Sequence, residues 1–243
     1  MKTRKLIITL LFFIFTILSC LYLPTGFGKS NNYSFKNFKL STKELKSATL
    51  LYDKLNLDNL GLSQEAYLMG LKGFEHLKSQ GKLRNENVIT IIDFSKPSSS
   101  KRLFIIDISS GVLLFNTYVA HGQNSGYAMA EKFSNKASSL QSSLGFYETS
   151  STYLGKHGYS LKLEGLEKGI NDKAMERSIV MHGASYVSEG VIKIKGYLGR
   201  SWGCPAVPEK YSKPIIDKIK NGSCIFIYAN NSMYLHQSKI LQS

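Results

Sequence analysis

The chain lacks most of the residues that mark special-purpose scaffolds. Three cysteines in 243 residues are too few for a disulfide-stapled miniature fold. There is no HExxH and no paired CxxC, so neither of the usual zinc patterns is present. Internal repeats are absent, which removes solenoids and propellers. Acidic residues are scarce, 17 against 31 lysines and arginines, giving a formal net charge of +14. Nucleic acid is the first partner such a balance suggests, but no stacking motif or C2H2 spacing accompanies it. What remains is an ordinary globular composition, 43% hydrophobic and 12% aromatic, long enough for one sizeable core or a core with a small appendage.

The first 28 residues read as a leader. Lys2, Arg4 and Lys5 precede a charge-free, largely apolar run from Leu6 to Leu23, the layout of an export signal. Three fates are open: cleavage after a small residue such as Gly28, lipidation of Cys20 in the lipobox-like Ile17-Leu18-Ser19-Cys20, or retention as a membrane anchor. Each places the rest outside the cytoplasm, tethered to a membrane in the last two cases. The mature chain stays strongly basic without the leader cations. An anionic cell envelope is then a better partner than nucleic acid, alongside a plain solubilising role for the charge.

Residues 29–86 read as an N-terminal helical appendage. Ser41 and Glu44 make a capping box ahead of Leu45, Ala48, Tyr52 and Leu55 at helical spacing. Ser63 starts a second helix that carries Tyr67, Leu71, Phe74 and Leu77 on one face and stops at Gly81. From Val88 the texture changes to short β-branched and aromatic runs: "VITIIDF", "KRLFIIDIS", "GVLLFNTYVAHG", "YSLKLEGL", "RSIVMHGA" and "CIFIY". The Ser-rich stretch 138–151 reads as loop, Lys213 to Lys220 as a short helix capped by Ser212, and 231–243 as a tail. The expected fold is mainly β (α+β), with the catalytic domain at 87–230.

Chemistry concentrates in "GRSWGCPAVP", residues 199–208. Pro205 pushes Cys204 out of the helical region, and Gly203 before it permits a positive φ or a close backbone approach. A thiol on such a turn is presented rather than packed. Cys224, inside the apolar run "CIFIY", reads instead as a small core hydrophobe. A Cys204–Cys224 disulfide is the other reading of an oxidising compartment, and the apolar run favours two free thiols.

A thiol needs a base or a nearby cation to become a thiolate. His182, at the end of "SIVMHGA" beside Gly183, is the best base in the sequence, with Gly183 a candidate substrate contact at the same strand end. Arg200 is a candidate for positive potential beside the sulfur. His121 and His157 also lie beside glycines at strand edges and read as structural or as substrate contacts. Pro205 has no N–H, so oxyanion donors must come from Cys204, Gly203 or Trp202. Ser201 reads as orienting His182, binding substrate or capping the turn. The "GKS" at 28–30 lacks the glycine a phosphate loop needs, and the Ser-x-x-Lys pairs at 79 and 98 lack their partner motifs.

Together "IVMHGASYVSE" and "LGRSWGCPAVP", with "FSN", "QSSLGFYET" and "GKHGYSL" upstream, resemble the L,D-transpeptidases of the YkuD class. The closest likeness is to its divergent branch of murein L,D-transpeptidase catalytic domains, over roughly Val88 to Tyr228. The resemblance implies a β-sandwich or barrel catalytic domain with Cys204 as nucleophile, His182 as base and peptidoglycan stem peptides as substrate. It also implies a thioester resolved by an amine or by water, with no metal or organic cofactor. The commoner pattern is Ser-His-Gly-Cys, then a hydrophobe and an arginine. Here Trp202 stands in place of the histidine and Ala206 in place of the arginine. Three functions follow as expectations: an exported cysteine transpeptidase, an L,D-carboxypeptidase using the same thioester, or a non-catalytic wall-binding module.

Overall fold

The computed structural model describes residues 41–243. The leader, including Cys20 and Gly28, lies outside the described residues. Among the described residues no helix is long and apolar enough to cross a membrane.

The capping box at Ser41 forms as expected and opens helix α1, Thr42–Lys54, which buries Ala48 and Tyr52. Helix α2, Gln64–Ser79, starts at the Ser63 cap and buries Tyr67, Leu71, Phe74 and Leu77. Both belong to the compact unit of residues 40–243 that also holds the sheet. The helices expected as an appendage therefore pack as part of the body. The reason lies in two glycines that the periodicity argument passed over. A Cβ on Gly73 would sit 2.0 Å from the Phe146 ring, and one on Gly70 3.1 Å from Ile91. Removing those two side chains lets α2 lie flat on the sheet.

Eight strands follow: β1 Val88–Asp93, β2 Leu103–Asp107, β3 Val112–Thr117, β4 Gly145–Gly155, β5 Gly158–Gly165, β6 Val180–Gly183, β7 Ala206–Val207 and β8 Cys224–Tyr228. They form one sheet in the order β3-β2-β1-β8-β4-β5-β6-β7. β1 and β8 pair in parallel and are buried along their whole length, as strands covered on both faces must be. The chain leaving β3 then bridges the opposite edge: Ala120 pairs with Ala206 of β7, its N–H donating to the Ala206 carbonyl at 2.8 Å. This strap joins the two edges, so the sheet curls closed as the expected sandwich or barrel.

Four segments differ from the sequence reading. The stretch 138–151, expected as loop throughout, yields β4 from Gly145 onward. Its serines and threonines fall at a register shift between Thr149 and Thr152, where pairing with β5 is interrupted. Helix α4 runs Glu209–Ile219 rather than 213–220, with Ser212 buried inside it instead of capping it. A further helix, α3 Glu189–Lys195, was not anticipated. The expected tail forms α5, Ser232–Gln237, and α6, Lys239–Gln242. It is pinned to the core by Glu167, which accepts from the Phe146 N–H at 2.8 Å, the Tyr234 hydroxyl at 3.1 Å and the Ser238 hydroxyl.

Candidate active site

The turn before β7 is built by backbone constraint. Gly203 has φ +124°, and a Cβ there would meet the Gln141 carbonyl oxygen at 2.8 Å, so only glycine fits. Ser201 Oγ closes the turn, donating to the Cys204 carbonyl at 2.6 Å and accepting from the Gly203 N–H at 3.1 Å. The structure thus assigns Ser201 the turn-capping role among its three readings and occupies one expected oxyanion donor, Gly203. The N–H groups of Trp202 and Cys204 make no hydrogen bond among the described residues. Cys204 and Cys224 are both free. Burial pushes the Cys224 thiol well up and leaves it inert in the core.

Cys204 lines a cleft of about 410 Å³ together with His182, His157, Lys156, Arg177, Tyr153, Tyr186, Arg200 and Trp202. Its Sγ accepts from the Val180 N–H at 3.5 Å and faces the Ser178 carbonyl at 3.7 Å. Burial pushes the thiol up; the Val180 amide, Arg177 and Lys156 pull the other way. His182 stands on β6, where it pairs in register with Ala206, two residues beyond the cysteine. Its Nδ1 lies 2.9 Å from the Gly183 carbonyl. A carbonyl only accepts, so Nδ1 carries the hydrogen and Nε2 keeps its lone pair. Burial holds the imidazole below its usual range, with the Gly183 carbonyl opposing and His157 and Lys156 adding to the effect.

Gly183 serves the site through its carbonyl and its missing side chain. A Cβ there would meet the Ser212 Cβ at 2.9 Å, so glycine is what lets α4 pack on β6. It does not line the cleft, contrary to the substrate contact expected of it. His121 is also displaced from its expected place. It is fully buried, with Nδ1 2.7 Å from the Arg102 guanidinium and Nε2 3.2 Å from the Gly126 carbonyl. His157 does reach the cleft: its ring stacks on His182 with centroids 4.3 Å apart. Among the described residues no three His, Cys, Asp or Glu side chains are grouped to hold a metal.

Arg200 lines the cleft, but its guanidinium donates to the carbonyls of Gln123 and Gly126 and covers Tyr127. The cations that act on the sulfur are Arg177 and Lys156, which the sequence reading did not single out. Arg177 donates to the carbonyls of Ser134 and Gln141 and the hydroxyls of Ser139 and Ser143. The Ser-rich stretch thus wraps an arginine beside the cysteine, where the sequence offers Ala206 in place of the family's usual arginine.

The family model described as the L,D-transpeptidase catalytic domain matches residues 58–228, well over half of the chain. The chain belongs to that family, as its motifs implied, and the match takes in α2. No curated protein matches the sequence. Among solved structures, an L,D-transpeptidase from Mycobacterium smegmatis is 13% identical over 59% of each chain, with a TM-score of 0.36. L,D-transpeptidase 3 from Mycobacterium tuberculosis is 10% identical over 59% of this chain and 61% of its own, with a TM-score of 0.38. An L,D-transpeptidase from Stackebrandtia nassauensis is 14% identical over 82% and 75%, with a TM-score of 0.36. The chain spans about three fifths of the length of the two mycobacterial proteins.

Proposed function

We propose that the protein is an exported cysteine acyltransferase that acts on peptidoglycan stem peptides, with Cys204 as nucleophile and His182 as general base. The observation that carries this reading is the arrangement at the cleft: a presented thiol, and an imidazole whose Nδ1 is spent on the Gly183 carbonyl while Nε2 keeps its lone pair. Burial raises the thiol and lowers the imidazole, so both shifts favour the uncharged forms. On attack, the Sγ–H proton passes to Nε2 as sulfur bonds to the carbonyl carbon of the stem's third residue. The Trp202 and Cys204 amides are the open donors for the oxyanion, each typically worth about 3 kcal/mol in the transition state. Collapse breaks the peptide bond, the imidazolium returns its proton to the leaving amine, and D-alanine departs from a thioester. The amine of a second stem then bonds to the thioester carbonyl carbon and gives its proton to His182, the C–S bond breaks, and the departing Cys204 sulfur takes that proton back, leaving a cross-link. The apolar, cation-led leader supports export to the envelope, with a membrane tether through the N-terminus or Cys20 as its further expectation.

Intact-mass measurement tests the reading. Incubated with tetrapeptide stems, the protein is expected to gain one acyl mass on Cys204, and Cys204→Ala to gain none. Product masses with and without an acceptor stem separate transfer from hydrolysis. A folded protein that binds stems yet never acylates, and binds equally well as Cys204→Ala, overturns the enzyme reading in favour of a wall-binding module.

A further inference from the structure

The cations around Cys204 differ in how their donors are used. Arg177 spends both terminal nitrogens on the Ser-rich segment, and Arg200 spends Nη1 on the carbonyls of Gln123 and Gly126. Lys156 has no hydrogen bond or ion pair among the described residues. Its Nζ instead lies 4.9 Å from the centroid of the Trp202 ring. A ring face attracts an ammonium without consuming its N–H groups, so the charge is positioned while three donors stay available.

The place of Lys156 is fixed from two sides. It sits at the tip of the β4–β5 hairpin, next to His157, whose ring stacks on His182. Lysine and histidine together lay the hairpin tip against both Trp202 and the catalytic imidazole. The residues lining the cleft include no Asp or Glu, so nothing of opposite charge there competes for the ammonium. An unpaired cation beside a nucleophile, in a cleft without carboxylates, is suited to an anionic group on the incoming ligand.

We infer that Lys156 is a specificity-determining residue that binds a carboxylate of the acyl donor, its ammonium held over Trp202 beside Cys204. This deepens, and rests on, the acyl-transfer reading of the site. It also gives a role to the tryptophan that replaces the family's usual histidine: Trp202 is the platform for the charge. Two carboxylates of a stem share this chemistry, that of the departing C-terminal residue and that on the far centre of the diamino acid.

The test begins with small alkylating agents, so that it does not depend on the peptidoglycan substrate. Thiolate displaces iodide from iodoacetate or iodoacetamide, forming one C–S bond, and the rate is read by mass on the Cys204 peptide. The ratio of the two rates cancels the thiolate fraction and reports the field felt by a carboxylate. In Lys156→Gln the ratio is expected to fall about fivefold at low salt, a change that 1 M salt erases. Lys156→Arg should restore it, and Lys210→Gln, at a lysine that does not line the cleft, should leave it at the wild-type value. A ratio unchanged in Lys156→Gln overturns the proposal. Donor stems then distinguish the two carboxylates. The wild type should prefer the free acid over one of two amides, C-terminal or diamino-acid side, by about fivefold, expressed in KM, and Lys156→Gln should lose that preference. Use of both amides by the wild type as readily as the free acid also overturns it. If no stem acylates Cys204, the acyl-transfer reading falls, while the alkylation ratio still decides whether Lys156 reads an anion.

Discussion

Two segments of this chain carry nearly the same four residues, Val119-Ala120-His121-Gly122 and Val180-Met181-His182-Gly183, and they lie on either side of β7. The first pairs Ala120 with Ala206, and the second pairs His182 with the same Ala206. Residues opposite one another share a face, and neighbours along a strand do not, so a one-residue difference in register sends the two histidines to opposite faces. His182 turns to the cysteine side. His121 turns into the core, where Arg102 and Gly126 occupy both ring nitrogens. A Val-x-His-Gly motif therefore does not fix which way its ring points; the register of the strand beside it does.

Four measurements would break or sharpen that contrast. The largest effect is expected at His182: replacement by Gln should lower the acylation rate of Cys204 about 10³-fold while leaving the unfolding midpoint nearly unchanged. An equal loss in His121→Leu, at wild-type stability, would erase the distinction between the two rings.

Acid titration comes next. Burial, then the neighbouring Arg102 charge, holds the His121 imidazole down at about 4 against an ordinary value of 6.5. The folded protein therefore resists a proton that the unfolded chain accepts. The stabilisation is complete above about pH 6.5 and is lost as the pH falls towards about 4, roughly 3 kcal/mol in all. Chemical denaturation across that window should show the loss in wild type and not in His121→Leu.

Smaller effects are expected in the supporting shell of the other ring. Gly183→Ala should cost about 2 kcal/mol, because the new methyl group meets Ser212 and pushes α4 from β6. Its acylation rate should fall too, since the Gly183 carbonyl orients the imidazole. Ser201→Ala should cost about 1 kcal/mol through the turn it closes, and its effect on stability should show no pH dependence between 4 and 6.5 that wild type lacks.

Local signals were read well where one residue type dictates one backbone state. The capping box at Ser41, the Ser63 cap, the strand "VITIID" and the glycine-relieved turn at Cys204 are all visible in short windows. The errors have a common origin in contacts between distant segments. Ser212 reads as a helix cap, yet the helix begins three residues earlier, with Ser212 packed on Gly183. The hairpin strand β4 hid among serines and threonines that belong to a register shift. Arg177 carried no motif at all. Its place beside the sulfur depends on the segment 134–143 folding around it, 34 residues or more away in sequence.

The sequence by itself determined the turn that holds Cys204, because proline and glycine restrict or release φ at their own positions whatever surrounds them. It also determined the strand periodicity and the helix starts, which depend on neighbours a few residues apart. Only the tertiary structure decided which histidine faces the thiol, which cations reach it and that α1 and α2 belong to the body. Those outcomes hang on the register at β7, on the closing strap at Ala120 and on close approach at Gly73 and Gly183. Each is set by pairing and packing across the whole chain, to which no short window of residues has access.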